Sequence, residues 1–323
     1  MLALTALAAV CLLSLAVGSR PIAPSVLLDA FTGFDPDNQE HLIVRDLREP
    51  RTEIGLMVGV ALGLVGALLQ GLTRNPLADP SILGISTGAA LAAAAAVLIL
   101  GLGSIYGYIW FAFLGAAIGG IVVYTIGSMG RDGATPVKLA LAGAALTALF
   151  TSLTTLILLV DVQTLASLRF WLVGSLAGRT SAVASQVWPF VVVGVVAALA
   201  AGRRLNALSL GDDVTRSLGV RLGRSRAFAG GAAILLAGAA TAAAGPIAFV
   251  SLAIPHVARA ITGPDYRWIL PYSAVLGGIL LLGSDVLGRV IARPEEIQVG
   301  VVTALIGAPF FVALVRRRNL AEL

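Results

Sequence analysis

The sequence predicts an all-α, polytopic membrane fold, and three observations carry that prediction. Of its 323 residues 58% are hydrophobic and 12% charged, where a soluble domain carries roughly 25% charge. With a mean hydropathy of +0.95, the chain has more apolar surface than a soluble core can hide. Apolar stretches recur along its length, each near the ~20 residues that a helix needs to cross a bilayer core. Glycine is abundant, at 37 residues, as expected where helices pack closely in lipid.

The first stretch, 2–18, is short and ends in Gly18-Ser19, as a signal peptide would. It lacks a basic region ahead of it, and the rest of the chain is also apolar, so a first transmembrane helix is expected. It holds the single cysteine, Cys11, which therefore forms no intrachain disulfide and is read as a buried apolar residue. A polar stretch, 29–53, follows as an outer loop, and then a span at 54–72.

Between this span and the next lies Gln70 to Gly88, with Asn75-Pro76 and Pro80. The prolines force non-helical backbone. Irregular backbone at membrane depth is tolerated only where it is buried or lines a cavity; a simple turn at the inner face is the plainer alternative. Spans at 82–102, 105–127 and 137–160 follow. The piece 163–180 is too short and polar to cross, so an interfacial or re-entrant helix is expected, with Phe170-Trp171 near the headgroups.

After a span at 183–202 comes the second polar stretch, 203–226. Within it Asp212 or Asp213 can begin a short amphipathic helix that Gly219 ends. Such an element can pass force from a soluble partner or can simply lie at the interface. The apolar run 226–261 would reach ~54 Å as one helix, too long for a single crossing. Gly245-Pro246 is its natural break, giving spans at 226–244 and 246–261. Spans at 269–288 and 297–315 complete a count of ten.

Positive charge sets the orientation. With the N-terminus inside, fourteen of the 22 basic residues fall in inner loops and eight outside, so both termini are expected to be cytoplasmic. The net charge of +5 is loop charge of this kind; there is no basic block with interleaved aromatics that would point to nucleic acid.

Ionisable residues are scarce in the spans, whereas ion-coupled transporters place Asp, Glu or His relays there. Asp285 lies four residues before Arg289, so an intrahelical ion pair accounts for it. His256, after Pro255, is read as structural. Two histidines and one cysteine make a transition-metal site improbable. The only lysine, Lys138, sits in Pro136-Val137-Lys138-Leu139 and not in a phosphate-binding loop. No nucleophile–base pair suggests a catalytic residue. If ATP drives this chain, another subunit hydrolyses it.

Four segments together carry a resemblance: Gln70–Gly88, Leu205–Val220, Gly245–Arg259, and Val299 to Phe311 with its Gly307-Ala308-Pro309. In this order they resemble the FecCD-type permeases of ABC importers for ferric siderophores, haem or vitamin B12, over about residues 44–316. The resemblance implies a bundle of about ten helices like that of vitamin B12-importer permeases, with 1–323 as one transmembrane permease domain. It implies four kinds of partner in a bacterial inner membrane: a second permease, identical or homologous; two cytoplasmic ATPases carrying ATP and magnesium; an extracytoplasmic substrate-binding protein; and the lipid bilayer. No cofactor is implied on this chain. Ferric siderophores are the expected cargo, with haem and cobalamin next.

By the same resemblance, Leu208, Leu210, Gly211, Asp212, Asp213, Arg216, Leu218 and Gly219 couple to the ATPase. Asn75 and Leu77 match the cytoplasmic gate. The second gate region, Thr135-Pro136-Val137, matches less well, and no residue is assigned there. The family's Arg-Leu-Pro-Arg motif reads Arg48-Glu49-Pro50-Arg51, and Arg289 matches a third outer arginine. These three imply docking to acidic residues of the binding protein, with Glu49 placed to weaken or redirect the contact. Anchoring of helix ends at the headgroups is the alternative for all three. The rival functions are an ion-coupled secondary transporter, an intramembrane enzyme and a scaffold.

Overall fold

The computed structural model describes residues 1–18, 20–81, 83–129, 136–217 and 219–317. Among them every regular element is helical. In chain order these are α1 (Leu2–Ala16), α2 (Pro24–Thr32), α3 (Gln39–Leu42), a π-helical turn over Ile43–Arg48, α4 (Glu49–Thr73), α5 (Ile85–Leu100), α6 (Ile105–Ser128) and α7 (Pro136–Val160). Then come α8 (Val162–Leu172), α9 (Ser181–Ala200), α10 (Gly202–Ser209), α11 (Asp212–Ser217), α12 (Leu222–Ala244), α13 (Val250–Thr262), α14 (Tyr266–Ile291) and α15 (Val299–Arg317).

Among the described residues six helical stretches are long and apolar enough to cross a membrane: the one containing α4, and α6, α7, α9, α12 and α14. Four shorter apolar helices, α1, α5, α13 and α15, occupy the other stretches that the hydropathy marks. Helix ends follow local chemistry. α4 opens with Pro50 in its first turn, where a missing N–H costs nothing, and stops at Arg74, which is left-handed at φ 49° before Asn75-Pro76. The apolar run 226–261 breaks at Gly245 (φ 79°), where an added Cβ would sit 1.8 Å from the Trp171 carbonyl. Only glycine fits there.

Two elements differ from the sequence reading. The stretch 29–53 is largely helical, and its π turn joins α3 to α4 as one continuous helical rod. A π turn holds an extra residue, and polar composition alone does not reveal it. In α8 the aromatic pair divides: Phe170 is exposed, but Trp171 is 2% exposed and belongs to the core. Its Nε1 donates to the Ala242 carbonyl at 3.2 Å, and its ring meets Tyr108 edge-on.

α4 runs through the middle of the bundle, with 89% of its apolar stretch buried, against 11% for α7. Small residues allow the central contacts. A Cβ on Gly63 would stand 2.0 Å from the Ser273 carbonyl of α14, and one on Gly66 would stand 1.8 Å from the Ser251 carbonyl of α13. Backbone therefore packs on backbone at both faces of α4.

Candidate functional site

α4 is 25 residues long, which sets its two ends ~37 Å apart. An ionic cluster sits at each end.

At the C-terminal end of α4, Arg74 turns towards α10 and α11. Its Nε donates to the Leu208 carbonyl at 2.8 Å, and its terminal nitrogen donates to the Asp212 carboxylate. The same carboxylate accepts from Arg226, in the first turns of α12, at 2.9 and 3.0 Å. Burial alone would raise the Asp212 carboxyl. The hydrogen bond from Arg74 and the charges of Arg226 and Arg74 outweigh it and hold the group below the usual carboxylate range. Thr215 closes the segment on itself, its Oγ1 donating to the Ala207 carbonyl at 2.6 Å. Asn206 ties α10 to the start of α14, donating to Asp265 at 2.6 Å and accepting from the Tyr266 N–H at 2.8 Å. The 205–220 segment is thus fastened to α4, α12 and α14 at once.

The residues expected to couple to an ATPase divide between two faces. Leu208 is buried at 1% exposure, and Asp212 is held in the arginine clamp. Leu210 is 57% exposed, and Asp213 and Arg216 point outwards as a pair at 3.0 Å. Gly211 (φ 100°) and Gly219 (φ 73°) lie in the left-handed region that favours glycine, flanking α11. Leu218 lies outside the described residues, as does Thr135 of the second gate region.

Asn75 and Leu77, expected at the gate, form the turn after α4. The Asn75 Oδ1 accepts from the Leu77 N–H at 2.9 Å, a local turn that Asn favours. Buried Asp79 then accepts from the Ser81 N–H and Oγ at 2.9 and 2.6 Å, and from the Ser251 hydroxyl of α13. That carboxylate pins the irregular turn to the start of a second broken helix. Nothing in the sequence pointed to Asp79 beyond its place in a segment already marked. Beside the turn is a cavity of about 490 Å³, lined by Gln70, Arg74, Pro76, His256, Arg259 and Phe310 among others. His256 Nδ1 meets the Leu252 carbonyl at 2.8 Å.

At the N-terminal end of α4, the structure brings Arg48, Arg51 and Arg289 together, and it holds all three inside. Arg48, 5% exposed, donates to the carbonyls of Leu15 and Ala16 at 2.8 and 2.7 Å and to that of Arg20, so it caps the C-terminus of α1. Arg51 donates to Asp285 at 2.8–3.2 Å and to Glu296 at 2.6 Å. Arg289, 2% exposed, pairs with Asp285 at 3.1 Å and donates to the Ser14 carbonyl and hydroxyl at 3.0 and 2.9 Å. The intrahelical Asp285–Arg289 pair expected from spacing is present, and Arg51 makes it a triad. Glu49 pairs with Arg45 at 3.8 Å and with neither flanking arginine of its motif. Arg293 adds a fourth guanidinium, donating to the Gly18 carbonyl at 2.6 Å. Four arginines meet Asp285 and Glu296 in this cluster, and Glu40, Asp46, Glu49, Glu53 and Glu295 lie in the segments around it, so the face as a whole carries no excess of positive charge. Sequence reasoning missed the role of Ser14; with Thr5 it is one of two hydroxyls in the apolar first span, and that was its signal.

The profile of the FecCD transport family matches residues 6–317. The chain is 45% identical over 288 residues, covering 89% of this chain and 86% of the relative, to the "Probable siderophore transport system permease protein YfiZ" of Bacillus subtilis (strain 168). It is 43% identical over 307 residues, 95% of this chain and 91% of the relative, to the ferric enterobactin transport system permease protein FepD of Escherichia coli (strain K12). Among solved structures, the one described as "An inward-facing conformation of a putative metal-chelate type ABC transporter" superposes with a TM-score of 0.85 at 28% identity, covering 98% of each chain.

Proposed function

The chain belongs to the FecCD transport family, and on that premise we propose that it is the permease subunit of a binding-protein-dependent ABC importer for ferric siderophores. Relatives named for siderophore and ferric enterobactin transport support this cargo over haem or cobalamin. The permease works with a second permease, identical or homologous, two ATPases that carry ATP and magnesium, and an external binding protein. It crosses the bacterial inner membrane with both termini in the cytoplasm, so the Asp212 cluster faces the ATPase and the Arg289 cluster faces outwards. α7, the least covered by its own chain of the six long apolar helices, offers surface for the second permease.

One observation carries the mechanism: Asp212 is bound by both Arg74 and Arg226. An ATPase that pushes on Leu210, Asp213 and Arg216 moves a segment fastened to the ends of α4 and α12. Those two helices are the most buried of the crossing set, at 89% and 67% of their apolar stretches. Displacement there shifts the turn holding Asn75 and Leu77, which serves as the cytoplasmic gate. At the outer end Arg48, Arg51 and Arg289 frame the docking face. Their side chains are engaged internally, so they serve docking by holding the ends of α1, α4 and α14 in place as a firm seat for the binding protein.

The test is uptake by the chain reconstituted with its permease partner, ATPases and binding protein, using labelled ferric hydroxamate, ferric catecholate, ferric citrate, haem and cobalamin. Saturable uptake of one ferric chelate is expected. Uptake of haem or cobalamin alone would overturn the cargo.

A further inference from the structure

Arg179, in the turn between α8 and α9, is only 8% exposed, yet no carboxylate is paired with it among the described residues. The group that acts on it is the Tyr108 phenol, itself 3% exposed and no anion, and its Nε is enclosed with no acceptor. A guanidinium withdrawn from water without an anion is unfavourable. The surroundings add positive potential, because the N-termini of α6 and α9 both open here and neither has a side-chain cap. Thr180 stands at the capping position of α9, but its hydroxyl is held by the Tyr106 hydroxyl at 2.5 Å. The Val183 N–H turns back to the Thr180 carbonyl at 3.0 Å, which leaves the N–H groups of Ser181 and Ala182, at the start of a 20-residue helix, for an outside acceptor next to a buried cation.

Below this point the surface is apolar. Tyr106, Trp110, Leu114 and Ile118 are exposed at four-residue intervals down α6, and Trp188, Val193 and Val196 are exposed down α9. The two helices touch through Phe190, whose ring meets Trp110 and Phe113 at 5.8 and 4.9 Å. Exposed aromatics at a helix end are typical of headgroup depth. We propose that the phosphate of a membrane phospholipid, seated between Arg179 and the first turn of α9, is the missing counter-ion, with its acyl chains along the α6–α9 surface. Basic pockets at helix ends bind lipid headgroups by this chemistry. A free phosphate would satisfy the guanidinium without engaging the adjoining apolar surface, which a phospholipid uses at the same time.

The full-length chain, purified with its transport partners and stripped of lipid, is titrated with dioleoyl phosphatidylglycerol and followed by native mass spectrometry. Dioleoylglycerol and inorganic phosphate form parallel arms. Arg179→Gln is expected to weaken retention of one phospholipid per chain about tenfold, the scale of a charge-assisted contact. Tyr106→Phe, at an exposed position, frees Thr180 to cap α9 and is expected to weaken binding about threefold. This second variant keeps the test decisive if Arg179→Gln does not fold. Unchanged phospholipid binding in Tyr106→Phe and in any folded Arg179 variant would overturn the proposal. So would equal binding of dioleoylglycerol, or displacement of the lipid by millimolar phosphate. Loss of binding-protein association in Arg179→Gln with lipid retention unchanged would assign the counter-ion to a protein carboxylate and also overturn it.

Discussion

Replacing Asp212 with Asn tests the clamp between α10–α11 and the bundle. The carboxylate holds Arg74 and, through both its oxygens, Arg226. The three side chains keep 31%, 37% and 22% of their area exposed, so each ionic contact is worth only ~0.5–1 kcal/mol. Losing both costs about 1–2 kcal/mol, which lowers the population of the fastened segment roughly 5–30-fold. The segment itself stays folded, because Arg74 still donates to the Leu208 carbonyl and Thr215 still closes on Ala207. ATP hydrolysis and cargo uptake are measured in the same proteoliposomes. Hydrolysis is expected to persist while cargo moved per ATP falls several-fold. Arg226→Gln removes one of the two contacts and should cause about half the loss in free energy, and the double variant should lose little more than Asp212→Asn, because the Asp212–Arg226 contact is common to both. An unchanged ratio in Asp212→Asn would refute the reasoning. The sign of the pH effect follows from the depressed carboxyl. Its contribution is present above the ordinary carboxylate range and is lost only as pH falls through the lower folded value. Coupling should therefore be flat from about pH 5 to 8.

Two further predictions concern packing. Asp285→Asn leaves Arg51 and Arg289, with side chains 12% and 2% exposed, without their shared acid. It should cost ~3–5 kcal/mol, read as a lowered thermal unfolding midpoint in detergent. The double variant with Arg289→Met should lose less than the sum; strict additivity would count against the triad. Gly66→Ala forces a Cβ to 1.8 Å from the Ser251 carbonyl. A loss of ~1–3 kcal/mol or more is expected, with a lower midpoint and reduced monodisperse yield, and a wild-type midpoint would contradict the α4–α13 contact.

The helical crossings were legible because lipid imposes a coarse rule: long apolar stretches bounded by charge or by helix breakers. Gly245-Pro246 was readable as a break for that reason, and the structure places α12 and α13 on either side of it. The Asp285–Arg289 pair was readable because four-residue spacing on a helix brings side chains together without any tertiary knowledge. Partners far apart in the chain were not. Arg51 meets Asp285 across 234 positions, and an arginine near a helix end has the same local sequence whether it reaches outwards or pairs within. The inward turn of Trp171 was hidden similarly, since headgroup aromatics and core aromatics differ only in what packs on them. The 29–53 stretch read as loop because its helices are short and polar, and such helices draw their stability from tertiary contacts more than from propensity.

The central claim is that this chain has no energy source of its own and moves cargo only when a soluble motor acts on the segment held by Asp212. Its most direct test is cargo accumulation by the reconstituted complex under two treatments: replacing ATP with a non-hydrolysable analogue, and collapsing ion gradients with ionophores at constant ATP. Accumulation should stop under the first treatment and continue under the second. Accumulation that survives the loss of ATP hydrolysis and stops with the gradients would contradict the account and favour an ion-coupled transporter.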